Sequence, residues 1–263
     1  MNAYSEIRFE IADGIATLTL NRPEERNAMT PAMGEEVADA CREASASAEL
    51  RAMIVTGAGS AFAAGGKFDF IEEVTTLPAE QRRQRMKWFY RLFLAVADVP
   101  VPTIAAINGH AIGAGLCFPL ACDLRLAAQG AKLGLNFVTL GLHPGMGGSF
   151  LLPRLVGAAR AADLILTGRL IDATEAREMG IVSEVLPAER LVERARELAL
   201  AIARNAPIAV RQAKESLQRN LVGDLDAALE REAFCQSIDY GTADLREGIT
   251  AAREKRRPSF RGE

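Results

Sequence analysis

Apolar and polar positions alternate at the beginning of the chain. The alternation covers residues 5–20 on both sides of Asp13-Gly14, a dipeptide typical of a hairpin turn. Thr30-Pro31 then provides a helix N-cap followed by proline at the first helical position, and helical spacing of apolar residues continues to about residue 47. The apolar run at 52–56 indicates a buried strand. The first sixty residues thus predict a hairpin, a helix and a strand.

Strands and helices continue to alternate through the middle of the chain, and helices take over near the C-terminus. The pattern predicts strands at 103–107, 124–127 and 181–186, and helices at about 80–97, 114–122, 149–156 and 174–179. Later helical periods are separated by short breaks at Ala206-Pro207, Gly223-Asp224 and Gly241-Thr242. We therefore predict an α/β core over residues 1–190 and a helical C-terminal region over 191–263.

Composition narrows the class of protein. Of 263 residues, 49% are hydrophobic and 25% charged, the balance of a globular chain with a sizeable core. The net charge of −3 argues against a nucleic-acid partner, and no apolar run approaches the roughly 18 residues of a membrane span. The N-terminus has no signal-peptide pattern, and the four cysteines lack CxxC spacing, so we expect reduced thiols in a cytoplasmic protein. Two histidines argue against a histidine-rich metal site.

Three glycine-rich stretches, 57–66, 109–115 and 141–148, are candidates for ligand contact. None has the P-loop or GxGxxG pattern. The second lies between a predicted strand and a predicted helix, where a turn of small residues presents free N–H donors to a negatively charged oxygen. Two such turns would form an oxyanion hole if they converged. The alternative interpretation is that they are tight turns with close helix–strand contacts.

Short motifs follow one another in a fixed order over nearly the whole chain. They include Asn21-Arg22-Pro23, Ala61-Phe62-Ala63-Ala64-Gly65-Gly66, Asn108-Gly109-His110-Ala111-Ile112-Gly113-Ala114-Gly115, Ala121-Cys122-Asp123, Pro144-Gly145-Met146-Gly147-Gly148 and Glu254-Lys255-Arg256. In this order the motifs resemble the enoyl-CoA hydratase/isomerase (crotonase) superfamily. The resemblance implies an α/β crotonase (ClpP-like) fold, a spiral of repeated ββα units. It also implies a C-terminal helical region that builds homotrimers, and often a hexamer of two trimers.

The same resemblance implies a coenzyme A thioester as substrate, with no permanently bound cofactor. The thioester oxygen would lie between the backbone N–H groups of Gly66 and Ala114. Such preorganised donors are each worth roughly 3–4 kcal/mol toward an enolate-like charge. The backbone near Ala64 and the segment around Arg26 would hold the adenine end. Lys255 matches a C-terminal lysine that meets the CoA phosphates, often from a neighbouring subunit.

The chain departs from the family pattern at the positions that carry hydration. Two glutamates serve hydratases as general acid and base, and the aligned positions here are Cys117 and Phe137. Neither can act as a carboxylate, and a phenylalanine would exclude the water to be positioned. Lys67 replaces the aspartate that commonly follows the first oxyanion-hole residue. These departures argue against ordinary hydration.

Other side chains are candidates for the chemistry. Asp69 follows Gly66 by three residues and is interpreted either as a site carboxylate or as a solvated residue at a helix start. His143 lies in a loop that is close to the reacting carbons in relatives, and histidine exchanges protons near neutral pH. Cys117 is either a nucleophile at a helix start or a small buried hydrophobe. His110 and Asp123 are expected to be structural.

Together these features predict an acyl-CoA-binding enzyme that stabilises a thioester enolate, with lyase or isomerase chemistry and an unidentified base. One alternative is a non-catalytic acyl-CoA-binding protein that kept the pocket and lost the acid and base. Another is an acyl-CoA decarboxylase or isomerase, because a decarboxylating substrate supplies its own carbanion and needs no glutamate base.

Overall fold

Two β-sheets and the helices around them form the molecule. The computed structural model describes residues 4–220, 238 and 242–263. The strands are β1 Ile7–Ala12, β2 Ile15–Leu20, β3 Ala52–Gly57, β4 Ala61–Ala63, β5 Thr103–Ile107, β6 His110–Ile112, β7 Leu124–Ala128, β8 Lys132–Gly134, β9 Ile171–Asp172 and β10 Glu184–Leu186. Within the described residues the larger sheet has the order β1-β2-β3-β5-β7-β10, and the smaller sheet β4-β6-β8-β9.

Helices follow the strands along the chain. They are α1 Pro31–Ala46, α2 Phe68–Thr75, α3 Ala79–Leu94, α4 Ala114–Leu120, α5 Gly148–Val156, α6 Ala158–Thr167, α7 Ala173–Met179, α8 Ala188–Ala203, α9 Pro207–Asn220 and α10 Ala243–Glu254. Short 3-10 turns cover Pro23–Glu25, Ala95–Asp98 and Asn136–Leu140. Every described element from α8 onward is a helix.

The chain repeats one unit as it winds through the two sheets. A strand of the larger sheet leads into a short strand of the smaller sheet and then into a helix, as in β3-β4-α2 and β5-β6-α4. From β2 onward the neighbouring strands of the larger sheet are parallel, and so are β4, β6 and β8 in the smaller one. This confirms the α/β spiral of ββα units. The antiparallel β1-β2 hairpin turns at Asp13-Gly14 with φ of +53° and +71°, confirming the first predicted turn.

Element boundaries differ from the sequence prediction in several places. The strand predicted at 181–186 begins only at residue 184, and the helix predicted at 80–97 covers Ala79–Leu94 before a 3-10 turn. Helix α2 agrees with the interpretation of Asp69 as a residue at a helix start, whereas helix α6 and the two- and three-residue strands of the smaller sheet were not predicted. Such short strands contain too few residues for an alternating pattern to be recognised. The breaks expected at Gly223-Asp224 and at Gly241 lie outside the described residues, as do the rest of 221–237 and 239–241 in region 191–263.

The hydrophobic core joins the helices to both sheets. Phe62, Phe89, Phe93 and Phe118 are almost fully buried. Their rings form a chain, with centroid distances of 5.2 Å between Phe89 and Phe93 and 6.0 Å between Phe62 and Phe118. This contact fixes α3 and α4 behind strand β4. On the opposite face of the larger sheet, α8 packs its own buried apolar residues.

A polar contact near the C-terminal helices supports the expected structural role of Asp123. Its carboxylate accepts hydrogen bonds from the backbone N–H and the hydroxyl of Thr103, at 2.8 and 2.9 Å. The buried ammonium of Lys214 lies 2.8 Å from the same oxygen. Asp123 therefore ties α9 to the larger sheet through a buried charge, although a quarter of its own side chain is exposed.

One buried side chain fixes the loop that borders the candidate site. Asn27 is fully buried with a φ of +54°, in the left-handed region that asparagine tolerates. Its side-chain oxygen accepts from the Arg22 N–H at 2.8 Å, and its amide group donates to the carbonyls of Ala58 and Ala61 at 2.9 and 2.8 Å. Asn27 therefore joins the turn after β2 to the turn between β3 and β4.

We expect Asn27→Ala to lower the free energy of unfolding by about 2 kcal/mol or more. The Arg22 N–H and the Ala58 carbonyl lose their side-chain partner, and each unsatisfied group costs roughly 1–3 kcal/mol, whereas the Ala61 carbonyl keeps a bond from Asn108 at 3.3 Å. Urea denaturation followed by circular dichroism measures the change. Asn205→Ala is the matched control, because Asn205 is exposed and makes one weak bond to the Ala201 carbonyl. Equal stability of the two variants would contradict this role of Asn27.

Candidate active site

A cleft of about 560 Å³ lies at the carboxyl end of the smaller sheet. It is lined by Glu24, Glu25, Arg26, Ala28, Ala64, Gly65, Gly66, Lys67, Phe68, Asp69, Ile71, Ile112, Gly113, Ala114, Asn136, Phe137, Leu140 and Leu142. Strands β4, β6 and β8 are parallel, so the segments that follow them emerge at the same edge. This edge is where open parallel sheets ordinarily bind ligands. Three segments distant in sequence thus line one cleft.

Gly66 presents its backbone N–H to this cleft. The residues on either side of it bond to Met29: the Met29 N–H donates to the Gly65 carbonyl at 2.7 Å, and the Lys67 N–H donates to the Met29 carbonyl at 2.9 Å. Because backbone groups alternate in direction along an extended segment, the N–H of Gly66 points away from Met29. Among the described residues it has no hydrogen-bond acceptor.

Ala114 provides a second unpaired N–H. It is the first residue of α4, where backbone N–H groups have no partner within the helix. Gly113 precedes it with φ of +57° and ψ of −122°, a conformation that favours glycine. The Gly113 N–H donates to the Gly134 carbonyl of β8 at 2.8 Å, while the Ala114 N–H bonds to no acceptor in the described part of the chain.

Glycines allow close backbone contact between the segment that follows β4 and the turn that leads into α4. A Cβ built on Gly65, whose φ is +95°, would lie 2.9 Å from the Ile112 carbonyl oxygen and 3.8 Å from the Ala114 nitrogen. A Cβ on Gly115 would lie 2.1 Å from the Ala63 carbonyl oxygen. Side chains at these positions would force the turns apart. The arrangement brings two backbone segments, each with an N–H that has no acceptor among the described residues, together in the lining of one cleft.

Charged side chains occupy one end of the cleft. The Lys67 ammonium lies 3.2 Å from Glu25 and 3.5 Å from Asp69. The hydrogen bond to Lys67 lowers the pKa of Glu25, and the same pair raises the pKa of Lys67. Arg26 is exposed beside them, and its carbonyl accepts from the Ala64 N–H at 3.0 Å. Arg26 is exposed and can contact an anionic ligand group, whereas Lys67 is already paired with two carboxylates.

Apolar side chains also line the cleft. They are Phe68, Ile71, Ile112, Phe137, Leu140 and Leu142. The ring of Phe137 points toward the turn that leads into α4, with its Cζ atom 3.9 Å from a Cβ built on Gly113. Phe68, Leu140 and Leu142 are substantially exposed although they are large and apolar. An apolar portion of a ligand would cover them.

Sequence candidates Gly66, Ala114, Phe137 and Asp69 therefore lie at this cleft, as do Arg26 and Ala64. Asp69 is at its exposed rim, with 82% of its side chain accessible.

Cys117 does not line the cleft. It is fully buried, and its thiol donates to the Gly145 carbonyl at 3.3 Å. Burial raises the pKa of this thiol to about 12, so it is neutral at physiological pH. The environment fits the interpretation of Cys117 as a small buried hydrophobe and not the interpretation as a nucleophile.

His143 and Lys255 also lie outside the lining of this cleft. His143 is exposed on the loop after the Asn136–Leu140 turn, with Nδ1 2.8 Å from the Pro144 carbonyl oxygen. Lys255 follows α10, is exposed and has a φ of +55°. Neither side chain reaches the two turns within one chain.

The structure adds residues that sequence patterns did not single out. Asn136 is a half-buried polar side chain beside Phe137, and the Glu25–Lys67 pair borders the charged end. Adjacency to Phe137 was the available sequence signal for Asn136. Nothing in the sequence indicated that Glu25 meets Lys67, because the pair joins segments 42 residues apart.

The described residues were also compared with the requirements of a metal site and of a membrane-spanning helix. The described residues contain no group of three or more histidine, cysteine, aspartate or glutamate side chains that could hold a metal ion. Over the same residues, no helix has the length and apolar character needed to cross a membrane.

Comparison with known proteins places this fold and site in a family. The family model for enoyl-CoA hydratase/isomerase matches residues 10–263. YngF of Bacillus subtilis (strain 168), which carries the same family name, is 41% identical over 94% of this chain and 95% of its own length. The crotonyl-CoA hydratase of Syntrophomonas wolfei is 34% identical over 98% of both chains.

The fold agrees with a solved relative. The crystal structure of an enoyl-CoA hydratase from Bacillus anthracis superposes with a TM-score of 0.92 at 40% identity, covering 98% of this chain and all of the other. The chain therefore belongs to the enoyl-CoA hydratase/isomerase family of crotonase-fold proteins, whose members act on coenzyme A thioesters.

Proposed function

We propose that the protein is an acyl-CoA enzyme whose backbone N–H groups at Gly66 and Ala114 bind the thioester oxygen. The observation that carries the proposal is that both of these residues line one cleft and that neither N–H has an acceptor among the described residues. Removal of a proton or loss of CO₂ at the α-carbon moves negative charge onto that oxygen. Fixed donors stabilise this charge more than they stabilise the ground-state carbonyl, which lowers the barrier.

The cleft lining offers groups for both parts of a CoA thioester. Arg26 offers positive charge for phosphate groups, and the backbone near Ala64 is ordered by its bond to the Arg26 carbonyl. The apolar lining residues would contact the acyl chain. Lys255, which is not among the residues lining the cleft of its own chain, would contact the phosphates of a substrate bound to a neighbouring subunit.

Ordinary hydration does not fit the side chains at this site. The aligned glutamate positions are a buried neutral thiol at Cys117 and a ring at Phe137. Asp69 is at the exposed rim and engaged by Lys67, and His143 lies outside the cleft lining. We therefore place the reaction among the lyase or isomerase reactions that pass through an enolate, with the acid and base not among the family's two glutamates.

Decarboxylation of an acyl-CoA is the second candidate reaction. The observation that favours it is the lack of a carboxylate among the described lining residues after Ile71. The carbon–carbon bond to the leaving CO₂ would supply the electron pair of the enolate, so no base is required. A proton then reaches the α-carbon from solvent or an acid. If binding occurs without turnover of any thioester, the protein is a non-catalytic acyl-CoA-binding protein.

The family resemblance and the cysteines support proposals for the assembly of the protein and for its cellular compartment. Region 191–263 would build a homotrimer or a hexamer of two trimers. The buried free thiols of Cys41, Cys117 and Cys122 support a reducing, cytoplasmic location.

Crotonyl-CoA hydration is expected to be at least about a thousandfold slower than in a two-glutamate hydratase. General acid and base groups each contribute roughly 10²–10⁴-fold, and both are replaced here. The loss of absorbance of the conjugated thioester measures the rate, and a two-glutamate family member assayed in parallel is the control. A malonyl-type CoA thioester assayed alongside tests decarboxylation. Hydration at the control's rate would overturn this assignment.

Ala114→Pro should lower turnover by roughly 10²–10³-fold, the usual cost of removing one oxyanion donor. Proline is tolerated at the first position of a helix, so circular dichroism should show an intact fold. Ala114→Gly keeps the N–H and is the matched control, with a mild effect expected. In a protein that only binds acyl-CoA, Ala114→Pro would weaken binding modestly. A folded Ala114→Pro protein with unchanged activity and binding would mean that the oxyanion site lies elsewhere.

A further inference from the structure

Asn136 is the first residue of the 3-10 turn that follows β8, and it lies beside the turn at Gly113 that leads into α4. Its side-chain oxygen is 3.3 Å from a Cβ built on Gly113, the residue directly before Ala114. Pairing of β8 with β6 at Ile112 and Gly134 fixes this position. The carboxamide therefore borders the part of the cleft that receives the carbons next to the thioester.

This carboxamide makes no hydrogen bond to any described residue. The only bond from a side chain to Asn136 among the described residues is that of the Thr139 hydroxyl to the Asn136 backbone carbonyl at 2.7 Å. The side chain is half-buried in the cleft lining, so its amide is accessible from the cleft. A ligand bound there can exchange hydrogen bonds with it.

The surroundings define the chemistry of that ligand group. The charged lining residues come from two segments. They are Glu24, Glu25 and Arg26 in the first segment, and Lys67 and Asp69 in the second, which follows Gly66. Among the described lining residues outside these segments, Asn136 has the only polar side chain. A carboxylate there would have no cation to pair with, whereas a hydroxyl or carbonyl needs only hydrogen bonds. An amide can donate to or accept from either group.

We infer that Asn136 is a specificity-determining residue that selects acyl-CoA thioesters bearing an uncharged oxygen, a hydroxyl or carbonyl, near the thioester carbon. The inference rests on the proposed function, since it takes the cleft as the acyl-CoA site. It adds the substrate class: a hydroxy- or oxo-acyl chain is preferred to a simple alkyl chain. Phe137, beside Asn136, would pack against the hydrocarbon of the same chain.

Calorimetric binding of matched thioesters tests this inference. The ligands are butyryl-CoA, the two enantiomers of 3-hydroxybutyryl-CoA, and succinyl-CoA as the charged comparison, each checked by chromatography for integrity. The wild type should bind one hydroxy enantiomer about three- to tenfold more tightly than butyryl-CoA, the effect of one net hydrogen bond. In Asn136→Leu, of similar volume, that preference should disappear, so that the ratio of the two affinities falls to about one.

Butyryl-CoA binding also reports whether the Asn136→Leu pocket is intact. Asn205→Leu is the matched control, because Asn205 is exposed and outside this cleft, and it should keep the wild-type preference. Equal wild-type affinities, a preference that survives in Asn136→Leu, or tightest binding of succinyl-CoA would each overturn the inference and leave acyl-CoA binding standing. Failure of the wild type to bind any thioester would instead remove the proposed function.

Discussion

The site depends on the close approach of two backbone segments, the one that follows β4 and the first turn of α4. The contact is so tight that a Cβ on Gly115 would overlap the Ala63 carbonyl oxygen, at 2.1 Å. Glycine is therefore required there by packing, and at Gly65 by both packing and a φ of +95°. The contact holds two N–H donors at one edge of the smaller sheet. Preorganised donors act on a developing charge without reorganisation, so their rigidity matters as much as their presence.

Parallel strand order brings the candidate site residues to one edge of the smaller sheet. Gly66, Ala114 and Asn136 follow strands β4, β6 and β8 in turn. The two N–H groups belong to the backbone, so they are present whatever side chains surround them. A scaffold of this kind can keep its backbone groups while the side chains at the site change.

The cleft lining combines charged and apolar groups. The Glu25–Lys67–Asp69 ion pairs and Arg26 come from two segments, and exposed apolar residues such as Leu140 and Leu142 come from the segment after β8. The proposed ligand, an acyl-CoA, has both charged and apolar parts. Cys117 is excluded from that chemistry by its environment, because burial keeps the thiol neutral. The acyl end is left with the ring of Phe137 and the carboxamide of Asn136 as its distinguishing groups.

The sequence alone determined the α/β class, the Asp13-Gly14 hairpin and the motifs of the family, because each depends on local spacing and turn chemistry. The resemblance to the family also led to the expectation that Cys117 and Phe137 stand at the positions of the two glutamates. Only the tertiary structure decided that Cys117 is buried behind the cleft, that Glu25 meets Lys67, and that Asn136 faces Gly113. These contacts join segments distant in the chain. Burial and pairing across such distances depend on strand register and helix packing, which local sequence patterns do not encode.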